Sequence, residues 1–365
     1  MHPPPSSLLL FLFIAATLVA QAPGKLRVGI AGLTHGHAAG FLRTALTRPD
    51  LQITGISESD HTVVEAYLKC FPALDRKLIH PSHAAMLDHA RPEAVMIFSS
   101  TVEHKDIVEL AAARRIHVMM ERPLAVSMEH ARAIQAAARR AAIHVLVNYE
   151  TTWYPANAPI WRMVREEKKL GDIRRIVTQY GHEGPKEIGV GPEFLGWLTD
   201  PARNGAGALF DFGCYGANFG TWLFDNQRPL SVTAVTHTNK PGTYAQVDDE
   251  ATVIVQYPKA QLVIEPSWNW PFSRKDMEVY GQTGYLVTAE RGTRYTFRHG
   301  GMKVEERATA PALPAPEDDV IRYLTAVVRG RLKPAGLSSL ENNMIVTEIL
   351  VAARQSARTG RTIRF

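Results

Sequence analysis

"KLRVGIAGLTHGHAAGFLRTAL", residues 25–46, decides the fold. Leu26, Val28 and Ile30 fall on every second position, as a strand requires, and the run then meets Gly32. Beyond the glycines, Ala38, Phe41, Leu42, Ala45 and Leu46 recur at helical spacing, which gives a helix one apolar face. Strand, glycine turn and amphipathic helix make the first half of a βαβ unit.

The alternation continues outward. "LQITGIS" (51–57), "EAVMIF" (93–98), "IHVMM" (116–120) and "IHVLVN" (143–148) read as further strands, with helices expected at about 104–115 and 127–142. This order predicts a doubly wound parallel sheet whose ligand sits at the carboxyl ends of the strands. From about residue 150 the rhythm changes to short strands: "IRRIVTQYGHEG", "LSVTAVTHT", "DEATVIVQY", "AQLVIEPSW", "KDMEVYGQ", "GYLVTAE" and "RYTFRH". An antiparallel sheet appended to the first domain is expected, closed by helices at about 317–329 and 338–358. The predicted organisation is a leader over 1–22, a Rossmann domain over 25–148, a substrate domain over 149–337, and a helix and tail over 338–365 that pack back on the body.

With 365 residues, 45% hydrophobic and 21% charged, the chain can build two cores and lacks the composition of disorder. Its net charge of +5 is scattered over pairs such as Arg114-Arg115, Arg139-Arg140 and Lys168-Lys169, so no nucleic-acid partner is expected. Two cysteines, Cys70 and Cys214, provide neither a disulfide framework nor a thiolate metal centre. The apolar stretch Leu8–Ala20 has signal-peptide length and is followed by small residues, although His2 stands where lysine or arginine is usual. Cleavage after Ala20 predicts a periplasmic or secreted protein, with an uncleaved anchor as the alternative; once the leader is removed, no membrane segment is expected.

"VGIAGLTHGHAAG" (28–40) places Gly29, Gly32, Gly36 and Gly40 where strand becomes helix, so backbone amides can approach a pyrophosphate at the helix N-terminus. Counting from Gly32, the second and third glycines of G-x-G-x-x-G fall on Thr34 and His37, which leaves the fingerprint incomplete. Glu58, about 22 residues past Gly36, ends the second strand. A carboxylate there accepts from ribose hydroxyls and repels a 2′-phosphate, which favours NAD over NADP. Gly29, Gly32, Thr34, His35, Gly36 and Glu58 are the expected nucleotide contacts. No metal is expected, because His35 and His37 have no carboxylate or cysteine close by in sequence.

At the chemical end, "MERPLA" (120–125) closes a strand with Glu121, Arg122 and Pro123. Proline holds Arg122 in extended geometry and permits a cis peptide, so the guanidinium is aimed at the ligand edge. With "FSSTVEH" (98–104), containing Ser99, Ser100 and His104, and "GALFDFGCYGAN" (207–218), containing Asp211, Gly213, Tyr215 and Asn218, the chain resembles the glucose-fructose oxidoreductase, inositol dehydrogenase and MocA (Gfo/Idh/MocA) family. "EVYGQTGYLV" (278–287) adds to the likeness.

The resemblance implies a Rossmann domain followed by a domain with a large, mostly antiparallel open sheet, a hydride transfer between a nicotinamide and a secondary hydroxyl of a sugar or polyol, and homo-oligomers paired through the open sheet. It also implies that Ser99, Ser100, His104, Glu121 and Arg122 face the cofactor. The family's motif lysine is Arg122 in this chain, and arginine does not readily exchange a proton. Tyr215 then becomes the expected acid/base, its pKa drawn down by a nearby cation, with Arg122 stabilising charge and Asp211 one helical turn earlier orienting the substrate or Tyr215. The plainer alternative is that Tyr215 packs and Asp211 pairs with Arg122.

Where many relatives carry a basic and amide pair, this chain has "YETTWYP" (149–155). Glu150 and Trp153 are therefore expected on the substrate with Asp211, Tyr215 and Asn218, and a neutral polyol is favoured over a sugar acid or phosphate. Trp153 either stacks on a pyranose or packs in a core, whereas Trp268 and Trp270 are read as sheet packing. Two other functions fit the scaffold: an NAD-using glycoside hydrolase or lyase that oxidises its substrate transiently, and a non-catalytic carbohydrate- or nucleotide-binding protein. Export favours the first of these, because a secreted enzyme has no cytosolic pool to reoxidise its cofactor.

Overall fold

A computed structural model describes residues 24–365, so the expected leader lies outside the described residues. The first half alternates strand and helix: β1 (Leu26–Ala31), α1 (Ala38–Ala45), β2 (Leu51–Ser57), α2 (His61–Cys70), β3 (Ile79–His80), α3 (His83–Ala90), β4 (Ala94–Ile97), α4 (His104–Ala113), β5 (His117–Glu121), α5 (Met128–Ala141) and β6 (Val145–Asn148). The six strands form one parallel sheet in the order β3-β2-β1-β4-β5-β6. The order reverses between β1 and β4, which opens a crevice at their carboxyl ends. All of β4 and most of β5 are buried, and burial on both faces is why these strands read as unbroken apolar runs.

The second half contains α6 (Asn157–Trp161), β7 (Ile173–Gly181), α7 (Pro192–Leu198), α8 (Pro201–Asn204), α9 (Ala208–Asp211), α10 (Gly213–Leu223), β8 (Ser231–His237), β9 (Glu250–Gln256), β10 (Gln261–Ser267), β11 (Arg274–Gly281), β12 (Gly284–Ala289), β13 (Arg294–His299), β14 (Glu306–Thr309), α11 (Val320–Val328), α12 (Leu340–Thr359) and β15 (Ile363–Arg364). Its nine strands run β14-β13-β12-β11-β7-β10-β9-β8-β15, and every pair is antiparallel except β7 with β10. Both the doubly wound parallel sheet and the large, mostly antiparallel sheet are as expected. Helix α10 lies directly on this sheet because Gly216 has no Cβ; one built there would stand 2.3 Å from Thr178 Oγ1 and 2.5 Å from Ile264. That approach fixes Tyr215 against β7.

Gly32 closes the β1 turn at φ +81°, and a Cβ there would meet Ser99 Cβ at 2.9 Å and the Phe98 carbonyl at 3.0 Å. Gly32→Ala is expected to destabilise the protein by about 2–4 kcal/mol, combining left-handed strain with a backbone clash. Chemical denaturation measures this, and a loss below about 1 kcal/mol contradicts the close approach of the β1 turn to β4.

Candidate active site at the strand ends

The glycine turn presents donors. Among the described residues the amides of Thr34 and Gly36 meet no acceptor, and Gly36 is exposed. The Leu33 amide donates to Glu58 Oε2 at 2.9 Å, and Glu58 Oε1 accepts from Ser59 and Asp60 at 2.9 and 3.0 Å, so the carboxylate at the end of β2 is fixed beside the turn. Helix α7 covers part of it: Phe194 lies 4.8 Å from the His35 ring, and Trp197 Nε1 donates to the Thr34 carbonyl at 3.3 Å.

His104 is buried, and its Nδ1 donates to the Leu124 carbonyl at 3.3 Å. Burial lowers its pKa to about 4, so Nε2 is a neutral, buried acceptor with no partner. Free amides at a helix N-terminus, a fixed carboxylate after β2 and an unpartnered imidazole nitrogen fit a nicotinamide dinucleotide.

At the end of β5 the chain gathers charge. Arg122 Nε donates to Tyr215 Oη at 3.0 Å, its Nη2 stands 3.1 Å from Asp211 Oδ1, and its guanidinium lies 5.4 Å from the Tyr215 ring centre. Arg122 is 6% exposed, Asp211 3% and Tyr215 1%, so water hardly reaches the cluster. Asp211 Oδ2 accepts from Trp268 Nε1 at 2.9 Å, whereas no N–H points at Oδ1, which keeps a lone pair within an ion pair. The Arg122–Pro123 peptide is cis.

Four sequence expectations change here. Asp211 and Tyr215 do not share a helix face: α9 ends at Asp211, Phe212 breaks the helix, and α10 begins at Gly213. They converge through Arg122 instead, as the plainer alternative had it for Asp211. The Tyr215 pKa is raised rather than drawn down, because burial outweighs the pull of Arg122. Asn218 is fully buried, donating to the Leu337 carbonyl at 2.8 Å between α10 and α12, and does not face the site. Gly29 faces α3, where a Cβ would meet Met86 Sδ at 2.7 Å, and makes no part of the turn.

Other residues fall differently as well. His37 does have a carboxylate: its Nδ1 lies 3.0 Å from Glu121 Oε2, and Glu121 Oε1 accepts from Asn148 Nδ2 at 2.8 Å. Trp153 Nε1 in turn donates to Asn148 Oδ1 at 3.0 Å while its ring meets Tyr323 edge-on at 5.5 Å, so this indole packs and braces. Burial opposes the Glu121 charge, but His37, Arg122 and Asn148 hold its pKa below the ordinary value. Ser99 is buried against the Gly32 turn, and the Ser100 amide and hydroxyl both donate to Glu103, the residue before α4. Glu150 is paired with Lys275, accepts from Tyr154 Oη at 3.1 Å and lies 3.7 Å from Arg291, so its carboxylate is engaged.

The donor atoms of His35, His37 and Glu121 lie within 4.8 Å of one another, a spacing that suits a cation. Their hydrogen bonds say otherwise. His35 Nδ1 accepts from the His37 amide at 3.1 Å, burial lowers its pKa well below the usual range, and its Nε2 faces the guanidinium, with Arg122 Nη1 at 3.5 Å. A metal would have to displace these partners beside a guanidinium. Cys214 is no nucleophile, since burial pushes its thiol up. A cleft of about 1230 Å³ lies between Val145, Trp161 and Trp222, and none of Arg122, Asp211 and Tyr215 lines it.

Sequence reading missed two groups. Lys275 of β11 reaches over the Tyr215 ring, with Nζ 5.0 Å from its centre. His182, just past β7, meets Phe212 edge-on at 4.9 Å and is held neutral by burial. Strand register is what reveals Lys275: it pairs with Tyr180, which stacks on Tyr215.

Known proteins share this architecture. Residues 26–149 match the oxidoreductase family with the NAD-binding Rossmann fold, and residues 161–287 match the GFO/IDH/MocA C-terminal domain. The chain is 27% identical over 168 residues to a trans-1,2-dihydrobenzene-1,2-diol dehydrogenase of Xenopus laevis, spanning 46% of this chain and 47% of that one. It is 28% identical over 235 residues to the human protein of that name, 64% of this chain and 65% of that one. The matched segment thus spans about half to two thirds of these relatives. An inositol dehydrogenase homologue from Azotobacter vinelandii, solved with NAD+, superposes with a TM-score of 0.80 at 16% identity over 94% of this chain and 98% of that one. With both family regions present in order over the two observed sheets, the chain belongs to the Gfo/Idh/MocA oxidoreductase family.

Proposed function

We propose that this protein is an NAD-dependent oxidoreductase that moves a hydride between the nicotinamide and a secondary hydroxyl or ketone of a sugar or polyol. The observation that carries the reading is the Arg122–Tyr215–Asp211 cluster, in which a cation from the Rossmann sheet meets a phenol and a carboxylate from the second domain beside the glycine turn. NAD supplies the hydride acceptor. Relatives named for a diol and a structural neighbour named for inositol point to the same chemistry.

The protein's own residues handle the proton. In ketone reduction, Tyr215 Oη gives its proton to the carbonyl oxygen, and Arg122 Nε, already bonded to Oη, stabilises the phenolate that remains. In alcohol oxidation the phenolate takes the hydroxyl proton back. Arg122 stays charged: burial opposes it, but Tyr215 and Asp211 more than offset that cost. Asp211 Oδ1 is placed to accept a neighbouring substrate hydroxyl. On this reading Leu8–Ala20 directs export, tightly held NAD is recycled in place, and copies pair through the open sheet face that carries Val235 and Ile254.

Denaturing an aliquot of purified protein reveals copurified nucleotide, and calorimetric titration with NAD and NADP followed by NADH absorbance with polyols tests the rest. Failure to bind either nucleotide rejects the reading. Glu58→Gln keeps an acceptor for the Leu33 amide but removes the charge. It is expected to weaken NAD binding about tenfold and to narrow the preference over NADP, as a lost charged hydrogen bond and a lifted repulsion require.

A further inference from the structure

We propose that Lys275 is a substrate-positioning residue that, anchored by Glu150, reads the hydroxyl on the carbon next to the reacting carbinol, so that the site selects vicinal diols. The inference rests on the oxidoreductase reading above.

Lys275 on β11 lies opposite Tyr180 on β7, which directs its side chain to the face where Tyr180 stacks on Tyr215 at 5.7 Å. Its Nζ lies 5.0 Å from the centre of the Tyr215 ring, on which Arg122 also sits, at 5.4 Å. Two cations thus share the ring of the proposed proton donor, one bonded to its oxygen and one free of it. Sequence reading found that the basic residue expected after β6 is replaced by Glu150. The structure shows the charge returned from another strand, with Glu150 as its tether.

Glu150 is an anchor rather than a substrate ligand, because Lys275, Tyr154 and Arg291 already engage its oxygens. Lys275 is the opposite case. An ammonium has three donors, and among the described residues only Glu150 accepts from it, although its side chain is 10% exposed. Sheltered donors without acceptors select a ligand that brings an oxygen. A substrate whose reacting oxygen meets Tyr215 Oη carries its adjacent hydroxyl toward the second cation. Asp211 balances Arg122 and Glu150 balances Lys275, which suits a neutral hydroxyl over an anion.

The test uses the full-length protein with NAD and matched probes: trans-1,2-cyclohexanediol against cyclohexanol, glucose against 2-deoxyglucose, and myo-inositol. Lys275→Met is expected to raise KM for the vicinal diols about 10- to 100-fold, to change kcat far less, and to abolish the preference over the deoxy partners. Lys275→Arg should restore part of it. Glu150→Gln should act in the same direction, and the double variant should be no worse than Lys275→Met alone, as expected of an anchor acting through its partner. NAD affinity and the thermal midpoint should stay near wild type in Lys275→Arg, which keeps the test informative if Lys275→Met folds poorly. The proposal is overturned if either Lys275 variant keeps the wild-type KM and diol preference, or if diol and deoxy probes lose activity equally. Wild-type protein that binds NAD but turns over none of the probes overturns it together with the polyol reading, whereas failure to bind NAD identifies the oxidoreductase reading itself as the fault.

Discussion

Tyr215→Phe is expected to lower turnover by about 10²- to 10⁴-fold, the usual worth of a positioned general acid or base, with NAD binding unchanged. The ring remains, so its packing on Tyr180, Tyr149 and Phe212 is kept and only the oxygen bonded to Arg122 is lost. A loss caused by misfolding would lower the thermal midpoint as well. The pH dependence gives a second readout. Burial raises the Tyr215 pKa above its ordinary value near 10, so oxidation, which needs the phenolate, should still be climbing at pH about 10. Reduction uses the phenol and should be flat over the same range. Arg122→Lys should retain or improve activity, since it keeps a cation at the end of β5 and adds a proton that can be exchanged. Full activity of Tyr215→Phe with NAD bound would move the proton to another group, and neutral His182 is the next candidate.

How much of this was legible in the sequence follows from the range of the interactions involved. Buried parallel strands advertise themselves as apolar runs, so β2 was read to the residue and β4, β5 and β6 to within about two residues at either end. Helices α2 and α3 were missed because their apolar faces are sparse: α2 buries only the adjacent pair Val63 and Val64, and α3 only Met86, Leu87 and Ala90. Arg122 was found because local rules suffice: the end of a strand places it and Pro123 aims it. Asn218 was misplaced through the resemblance, whose motif groups it with Asp211 and Tyr215, yet α10 is buried almost all round and its two sides meet different neighbours. The His37–Glu121 contact joins residues 84 apart, and the Lys275–Glu150 contact joins residues 125 apart. Lys275 shares the parity of Met277 and Val279, which sets it on the inner face of β11, but sequence alone does not show what a lysine at the start of that face meets across 125 residues.

The second large effect concerns stability. Asp211→Ala is expected to cost about 3–5 kcal/mol, because it leaves Arg122 charged, 6% exposed and without its counter-ion. It also removes the acceptor of the buried Trp268 indole. Asp211→Asn separates the two losses: an amide oxygen still serves Trp268, so the remaining effect is that of charge. If the ion pair is the larger part, Asp211→Asn should recover less than half of the lost stability. Arg122→Met combined with Asp211→Asn should recover more, since no buried charge then lacks a partner. Chemical denaturation of the wild type, the two single Asp211 variants and the double variant measures this. Were Asp211→Ala to cost less than about 1 kcal/mol, the pair would behave as a solvent-screened one. Arg122 and Asp211 would then have to part in solution, and the cluster could not hold Tyr215 in a water-free setting. The stability of Asp211→Ala and the pH profile of the wild type therefore test one claim from two sides: the guanidinium, the carboxylate and the phenol form a dry unit whose charges are fixed before any substrate arrives.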